Sequence, residues 1–166
     1  MKKIISVFLS VIMLVTSLCF AVSANASVNK MSGEYNYTFV SADKIAIKKY
    51  TGSESTVNIP SKIDGFTVTE ISGAFNVMDS LKKVVIPSTV TTISASFKYD
   101  SNLAEVTIPS SVKTIDAYSF CKNTALKSIV IPSSVTTLDA FQDCTSLTSI
   151  KIGDNISDIS AYAFAE

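Results

Sequence analysis

Four stretches of this chain place apolar and polar residues in the same order. LKKVVIPSTVTTI (81–93), LAEVTIPSSVKTI (103–115) and LKSIVIPSSVTTL (126–138) are close copies, and LTSIKIGDNISDI (147–159) is a looser one. The leading leucines, Leu81, Leu103, Leu126 and Leu147, are 22, 23 and 21 residues apart. Within each copy, L-x-x-V-x-I sends alternate side chains to one face, as a short strand does. The segment V-x-x-I then adds two inward positions and predicts a second short strand. A phenylalanine follows in every copy: Phe75, Phe97, Phe120, Phe141 and Phe164. A degenerate first copy sets Val57, Ile59, Pro60, Val68 and Ile71 at the matching places, with 5 extra residues within 61–67. Asp64-Gly65 inside that insert predicts a protruding turn.

Proline ends the first strand in four copies, at Pro60, Pro87, Pro109 and Pro132, which are all the prolines present. Lacking an amide hydrogen, it stops pairing at a fixed place. Gly153 takes this position in the last copy and serves to turn. Each copy offers about six inward apolar side chains, worth roughly 1.5–3 kcal/mol each when buried. No copy can cover its own flat faces, so neighbours must stack, and the array is cooperative only as a whole. The period lies in the leucine-rich-repeat range. The residues between phenylalanine and the next leucine (121–125, for example) are expected to return as a short helical or 3₁₀ turn. Five phenylalanines at equivalent positions read as a core spine rather than a ligand strip. Ahead of the repeats, Tyr35, Tyr37 and Phe39 alternate with Asn36, Thr38 and Val40, and Ile45 and Ile47 alternate with Lys44, Ala46 and Lys48. With a turn at Ser41-Ala42-Asp43, this predicts a β-hairpin capping the first repeat.

Residues 1–26 read as a secretory signal peptide. Lys2 and Lys3 open it, residues 4–22 are apolar and uncharged, and Ala24-Asn25-Ala26 forms a cleavage site before Ser27. An uncleaved anchor is the alternative, since roughly 20 residues suffice to span a bilayer; the hydroxyl residues in the run and the Ala-x-Ala site favour cleavage. Leu18 stands before Cys19 where lipidation calls for a small residue. The division is therefore a leader at 1–26, a capping hairpin at 27–52 and repeats at 53–166. The chain has 14 Lys, no Arg and no His against 14 acidic residues, and loss of Lys2 and Lys3 leaves 12 against 14, or −2. That balance has no basic cluster for nucleic acid and none for an anionic membrane surface. Cys121 follows Phe120 directly, whereas Cys144 lies three residues before Leu147. These unlike places favour two separate thiols over a disulfide.

Without histidine there is no Ser-His-Asp or Cys-His pair and no imidazole ligand. No nucleophile-elbow pattern supports a Ser–Lys dyad. Asp139 with Asp143, and Asp154 with Asp158, have helical spacing but read as solvated turn residues rather than a metal site. Paired carboxylates for glycoside hydrolysis need a shared cleft, and no glycine-rich phosphate loop is present. No catalytic residue, cofactor or metal is expected. Asn36-Tyr37-Thr38 and Asn155-Ile156-Ser157 match the glycosylation sequon, a weak signal. What remains is the outward side of the first strand of each coil: Lys83 and Val85, Glu105 and Thr107, Ser128 and Val130, Ser149 and Lys151. They form a small, mixed-polarity strip on the expected concave face, where solenoids bind. A solvated sheet face with no ligand is the competing reading, because the strip has no Trp, Tyr or Arg. Tyr99, Tyr118 and Tyr162 fall on the return turns as a second contact surface.

The segments IPSSVKTIDAYSF (108–120) and CTSLTSI (144–150) resemble the BspA-like class of bacterial leucine-rich repeats, whose pattern is near L-T-x-V-x-I-P-x-S-V-T-x-I-G-x-x-A-F-x-x-C-x-x. The resemblance covers about 53–166, and the hairpin resembles the leader that often precedes such arrays. It implies an α/β leucine-rich-repeat solenoid, a curved horseshoe segment of about five coils with parallel short strands behind an N-terminal β-hairpin cap. It also implies an exported, secreted or cell-surface protein with roles in adhesion and protein recognition, and no catalytic residues. There are departures. Leu138 to Phe141 is 3 residues where Ile115 to Phe120 is 5, and Ser94, Asp116 and Asp139 stand where the pattern has glycine. Glu166 comes two residues after Phe164, which leaves the last coil open and surface anchoring in doubt. The expectation is a non-enzymatic module that recognises a protein or glycan through the concave strands, without nucleic-acid or membrane partners after cleavage. The alternative is a structural or assembly element, or a truncated piece of a longer array, that self-associates through its open C-terminal coil.

Overall fold

A computed structural model describes residues 29–165. The expected leader, with Ala24, Ala26 and Ser27, lies outside the described residues. The chain opens with β1 (Lys30–Ser32), β2 (Tyr35–Phe39) and β3 (Lys44–Tyr50). The first coil contains β4 (Thr56–Asn58), β5 (Lys62–Ile63) and β6 (Phe66–Ser72). Each later coil contributes two short strands. These are β7 (Lys83–Val85) with β8 (Thr92–Ser94), β9 (Glu105–Thr107) with β10 (Thr114–Ile115), β11 (Ser128–Ile131) with β12 (Thr137–Leu138), and β13 (Ser149–Ile152) with β14 (Asp158–Ile159).

Equivalent strands pair in parallel, so the repeat period becomes two ladders. In the first, Val57 lies beside Val84 and Val84 beside Val106, while Ile129 lies beside Ile150. In the second, Ile71 neighbours Ile93, Ile93 neighbours Ile115, and Leu138 neighbours Ile159. Inward residues such as Leu81, Leu103, Leu126, Val90, Val112 and Val135 are fully buried.

The third edge is the aromatic spine. The rings of Phe75, Phe97, Phe120 and Phe141 stack in turn at centroid separations of 5.1, 5.4 and 5.3 Å, with interplanar angles of 15° or less. Phe164 extends the column at 6.0 Å and is 40% exposed. The spine reading of the phenylalanines therefore holds.

The solenoid expectation holds, but the α part of the α/β description does not: the described residues contain no helix. The expected helical or 3₁₀ return is a series of tight turns. The second residue after the phenylalanine has a positive φ in four coils, at Val77, Tyr99, Lys122 and Asp143. A left-handed residue ends any right-handed helix, and five residues leave no room for another turn.

The hairpin is more than a lid. Its last strand, β3, lies parallel to β6, with Ile45 beside Val68 and Ile47 beside Ile71. Tyr50 then stacks on Phe75 at 5.0 Å. Ile45, Ile47 and Tyr50 thus take the places of valine, isoleucine and phenylalanine in half a coil. The first-coil insert turns at Asp64-Gly65 as expected, with φ of 52° and 85°, the sign pattern of a type I′ hairpin. It is exposed but tethered to the hairpin. Ser32 Oγ donates to Asp64 Oδ1 at 2.6 Å and the Tyr37 hydroxyl to Oδ2 at 2.8 Å. These bonds hold the Asp64 carboxyl below its ordinary range, while burial and the same hydrogen bond push Tyr37 up to about 12.

Gly153 meets a different demand from the one expected. A Cβ there would strike the backbone of Ser133 and Pro132 in the preceding coil, so its role is close approach between coils. Cys121 and Cys144 are both free and buried. The Cys144 thiol donates to the Phe120 carbonyl at 3.0 Å, and burial pushes it up to about 11.

Candidate functional site

The first ladder presents all eight outward residues of the expected strip to solvent, half-buried or exposed. Register places Lys83 beside Glu105 and Val85 beside Thr107. Ser128 lies beside Ser149 and Val130 beside Lys151. Lys83 Nζ and Glu105 Oε2 are 2.6 Å apart, with side chains 45% and 65% exposed. An exposed pair of this kind adds little stability, typically ~0–1 kcal/mol. Its main effect is that Glu105 neutralises one lysine of the strip. Lys82 and Lys127, each just before a strand, are exposed, as is Lys151. Among the described residues these three form no ion pair. The outward strand positions themselves carry Lys83 and Lys151 against Glu105, with Lys82 and Lys127 exposed at the strand starts.

The strip is also divided. β4, β7 and β9 form one sheet and β11 with β13 another. At the second-to-third coil junction, the amides of Ala104 and Glu105 donate to the Lys82 carbonyl, and Ile86 N donates to Thr107 O. At the fourth-to-fifth, Thr148 and Ser149 donate to Lys127 O. The corresponding bonds between β9 and β11 are not made among the described residues, and β10 and β12 lapse likewise. The return turns of the same two coils stay joined: Tyr118 N donates to Asp139 O, Phe120 N to Ala140 O and Lys122 N to Gln142 O.

The fourth coil reaches its phenylalanine in 3 residues from Leu138, where the third takes 5 from Ile115 and the fifth takes 5 from Ile159. The same difference stands at both junctions of the fourth coil; its strands pair with those of the fifth and not with those of the third. The opening is a groove of about 400 Å³ that includes Val106, Ile108, Ile129 and Val130. Val106 and Ile108 are half-buried, whereas their counterparts Val84 and Ile86 are buried.

A polar column runs inside the return turns. Asp100 and Asn123, each three residues after a phenylalanine, are fully buried. Met78 N donates to Asp100 Oδ1 at 2.6 Å, and Asp100 N donates to Asn123 Oδ1 at 3.1 Å. Each side chain thus satisfies an amide of the coil before it. Among the described residues Asp100 Oδ2 and Asn123 Nδ2 have no partner. Burial, with a smaller push from Asp79, raises the Asp100 carboxyl to about 7. The expected second surface is present as exposed side chains: Tyr99, Tyr118 and Tyr162 are 48%, 54% and 65% exposed, and Lys122 Nζ sits 5.4 Å from the Tyr99 ring centroid. Asp143 and Asp154 lie in turns, Asp158 in β14 and Asp139 just after β12, none of them on a helix face. No group of three His, Cys, Asp or Glu able to hold a metal occurs among the described residues.

Comparison with known proteins agrees with this geometry. The chain is similar to the leucine-rich repeat protein of Treponema pallidum, TpLRR, at 30% identity with a TM-score of 0.74, over 83% of this chain and 67% of that one. It is similar in fold to a leucine-rich cell surface protein from Faecalibacterium prausnitzii, at 24% identity and a TM-score of 0.64. That match covers 86% of this chain, which spans about half (47%) of the other's length. A leucine-rich repeat protein from Bacteroides capillosus matches at 22% identity and a TM-score of 0.65, over 75% of this chain and 97% of that one. No curated protein sequence matches. The model of the BspA type leucine-rich repeat region, in 6 copies, matches residues 43–166, so its copies begin inside the hairpin, at the half-coil built by β3. With five coils and a half-coil over that span, the chain belongs to the BspA type leucine-rich repeat family.

Proposed function

We propose that this chain is an exported, non-enzymatic recognition module that binds a protein or a glycan at or outside the cell surface through its first-ladder face. The observation that carries the reading is the division of labour along each strand. Val84, Ile129 and Ile131 point inward and are buried, while the outward residues Glu105, Thr107, Ser128, Val130, Ser149 and Lys151 are exposed and contribute no core. A stiff array of short strands holds those side chains at fixed spacing, which lowers the ordering cost of binding. Family membership supports a repeat module of the interaction type, and the Faecalibacterium relative's description as a cell surface protein supports the location.

The test is a screen of purified residues 27–166 against arrayed glycans and extracellular-matrix proteins, with a sizing run on the same sample. Saturable binding that is lost when Lys83, Glu105 and Lys151 are replaced together supports the placement; binding indifferent to that change moves the site elsewhere. A second reading, an assembly element, draws on the fifth coil, where Ile152, Ile159 and Phe164 are 38%, 47% and 40% exposed. Oligomers that disappear when Ile156, Ile159 and Phe164 are made polar, with the fold retained, favour it. A strictly monomeric protein removes it.

A further inference from the structure

We propose that the groove between β9 and β11 is a pocket for one aliphatic side chain of an extended acidic peptide lying along the first-ladder face. This rests on the reading of that face as the recognition surface and adds the class of partner. Three features converge here. The first is shape and polarity. The opening is about 400 Å³, with Val106, Ile108, Ile129 and Val130 among its walls and Glu105, Thr107 and Ser128 around them. Val130 is 58% exposed, and apart from half-buried Val85 the other outward residues of the strip are hydroxyl-bearing or charged. A small apolar recess in a polar surround suits a single anchoring residue.

The second feature is the backbone. Ladder amides and carbonyls are paired at the junctions on either side, yet the bonds joining β9 to β11 are absent among the described residues. Backbone donors and acceptors left unpaired there need polar partners, which the backbone of a peptide lying across the opening supplies. The third feature is charge. Glu105 is engaged by Lys83, which leaves Lys82, Lys127 and Lys151 without an ion pair among the described residues. This arrangement attracts an anionic partner and repels a basic one. The outward strand residues include no aromatic side chain. The stacking platform on which single-stranded nucleic acid relies is therefore lacking, and a peptide fits the aliphatic pocket better than a sugar ring.

The experiment is an array of extended decapeptides in which flanking charge and central residue vary independently, probed with labelled residues 27–166. Acidic peptides with central Leu, Ile or Val should be retained. Central Ala, or Lys in place of the acids, should weaken binding about tenfold. On the protein, Val130→Asp should abolish the preference for the central residue, and joint Lys82→Gln and Lys127→Gln should weaken binding about tenfold and flatten its salt dependence. Both changes are at exposed positions, and Thr114→Ala on the second ladder serves as the control that leaves binding intact. Retention without regard to the central residue, a preference for basic peptides, or no peptide retained would each overturn the proposal. If a ligand from the wider screen is lost on replacing Lys83, Glu105 and Lys151 yet ignores Val130→Asp, the pocket is refuted while the recognition face stands. If neither screen yields a ligand, both readings fall.

Discussion

Asp100 offers the sharpest test of the packing. Its carboxyl is buried in the return turns, with Oδ1 accepting from Met78 N at 2.6 Å and Oδ2 without a partner among the described residues. Burial lifts it from 3.8 to about 7. The folded state therefore holds a proton that the unfolded chain releases above pH ~4. The contribution to stability is fully present below the unfolded value and is lost as pH rises towards 7, levelling off above it. A shift of about three units corresponds to about 4 kcal/mol, and screening by water near the turn lowers the expected figure to about 2–3 kcal/mol. Asp100→Asn keeps the acceptor for Met78 and removes the titration. Asn123 already occupies the same place one coil later, where its Oδ1 accepts from Asp100 N. The variant should match the parent at pH 4 and exceed it by about 2–3 kcal/mol at pH 8. Urea unfolding followed by circular dichroism at several pH values measures this. Other carboxylates titrate in both proteins, so the difference between the two curves is the readout. Parallel curves would show that Asp100 is charged in the folded protein and refute the reasoning.

The other predictions concern the spine, the turns and the thiols. Phe120→Ala opens a cavity between Phe97 and Phe141 and should cost about 3–5 kcal/mol in urea unfolding, whereas Phe164→Ala, at the exposed end, should cost under about 1 kcal/mol. Val77 is β-branched, 67% exposed and held at φ 60°. Val77→Gly should therefore raise stability by about 1 kcal/mol by releasing backbone strain, and an unchanged or lowered midpoint would count against strain there. Burial raises both thiols above their ordinary value. A thiol reagent should therefore label Cys121 and Cys144 in the denatured protein but neither at neutral pH in the folded one, and rapid labelling of either in native buffer would contradict their burial.

The repeat made most of the architecture readable from residues alone. Period, proline and phenylalanine all report local requirements repeated in each coil: where alternation begins, where an amide donor is missing, where a large ring must be buried. The hairpin was legible for the same reason, through Tyr35, Tyr37 and Phe39. Its role as a half-coil was not, because the stacking of Tyr50 on Phe75 joins residues 25 apart in sequence. The helical return was expected from chain length and was wrong, since the left-handed φ at Tyr99 or Val77 is imposed by stacking on neighbouring coils rather than by the preference of those residues. The outward strip was legible as positions. Its ion pair was not, because the Lys83–Glu105 contact is between coils.

The amino-acid sequence by itself determined the solenoid, its strand faces, its aromatic spine and the absence of histidine chemistry, since each follows from a pattern that recurs within a single coil. Only the tertiary structure decided the groove between β9 and β11, the buried state of Asp100 and the close approach at Gly153. Each depends on how one coil sits against the next, which no pattern within a single coil specifies.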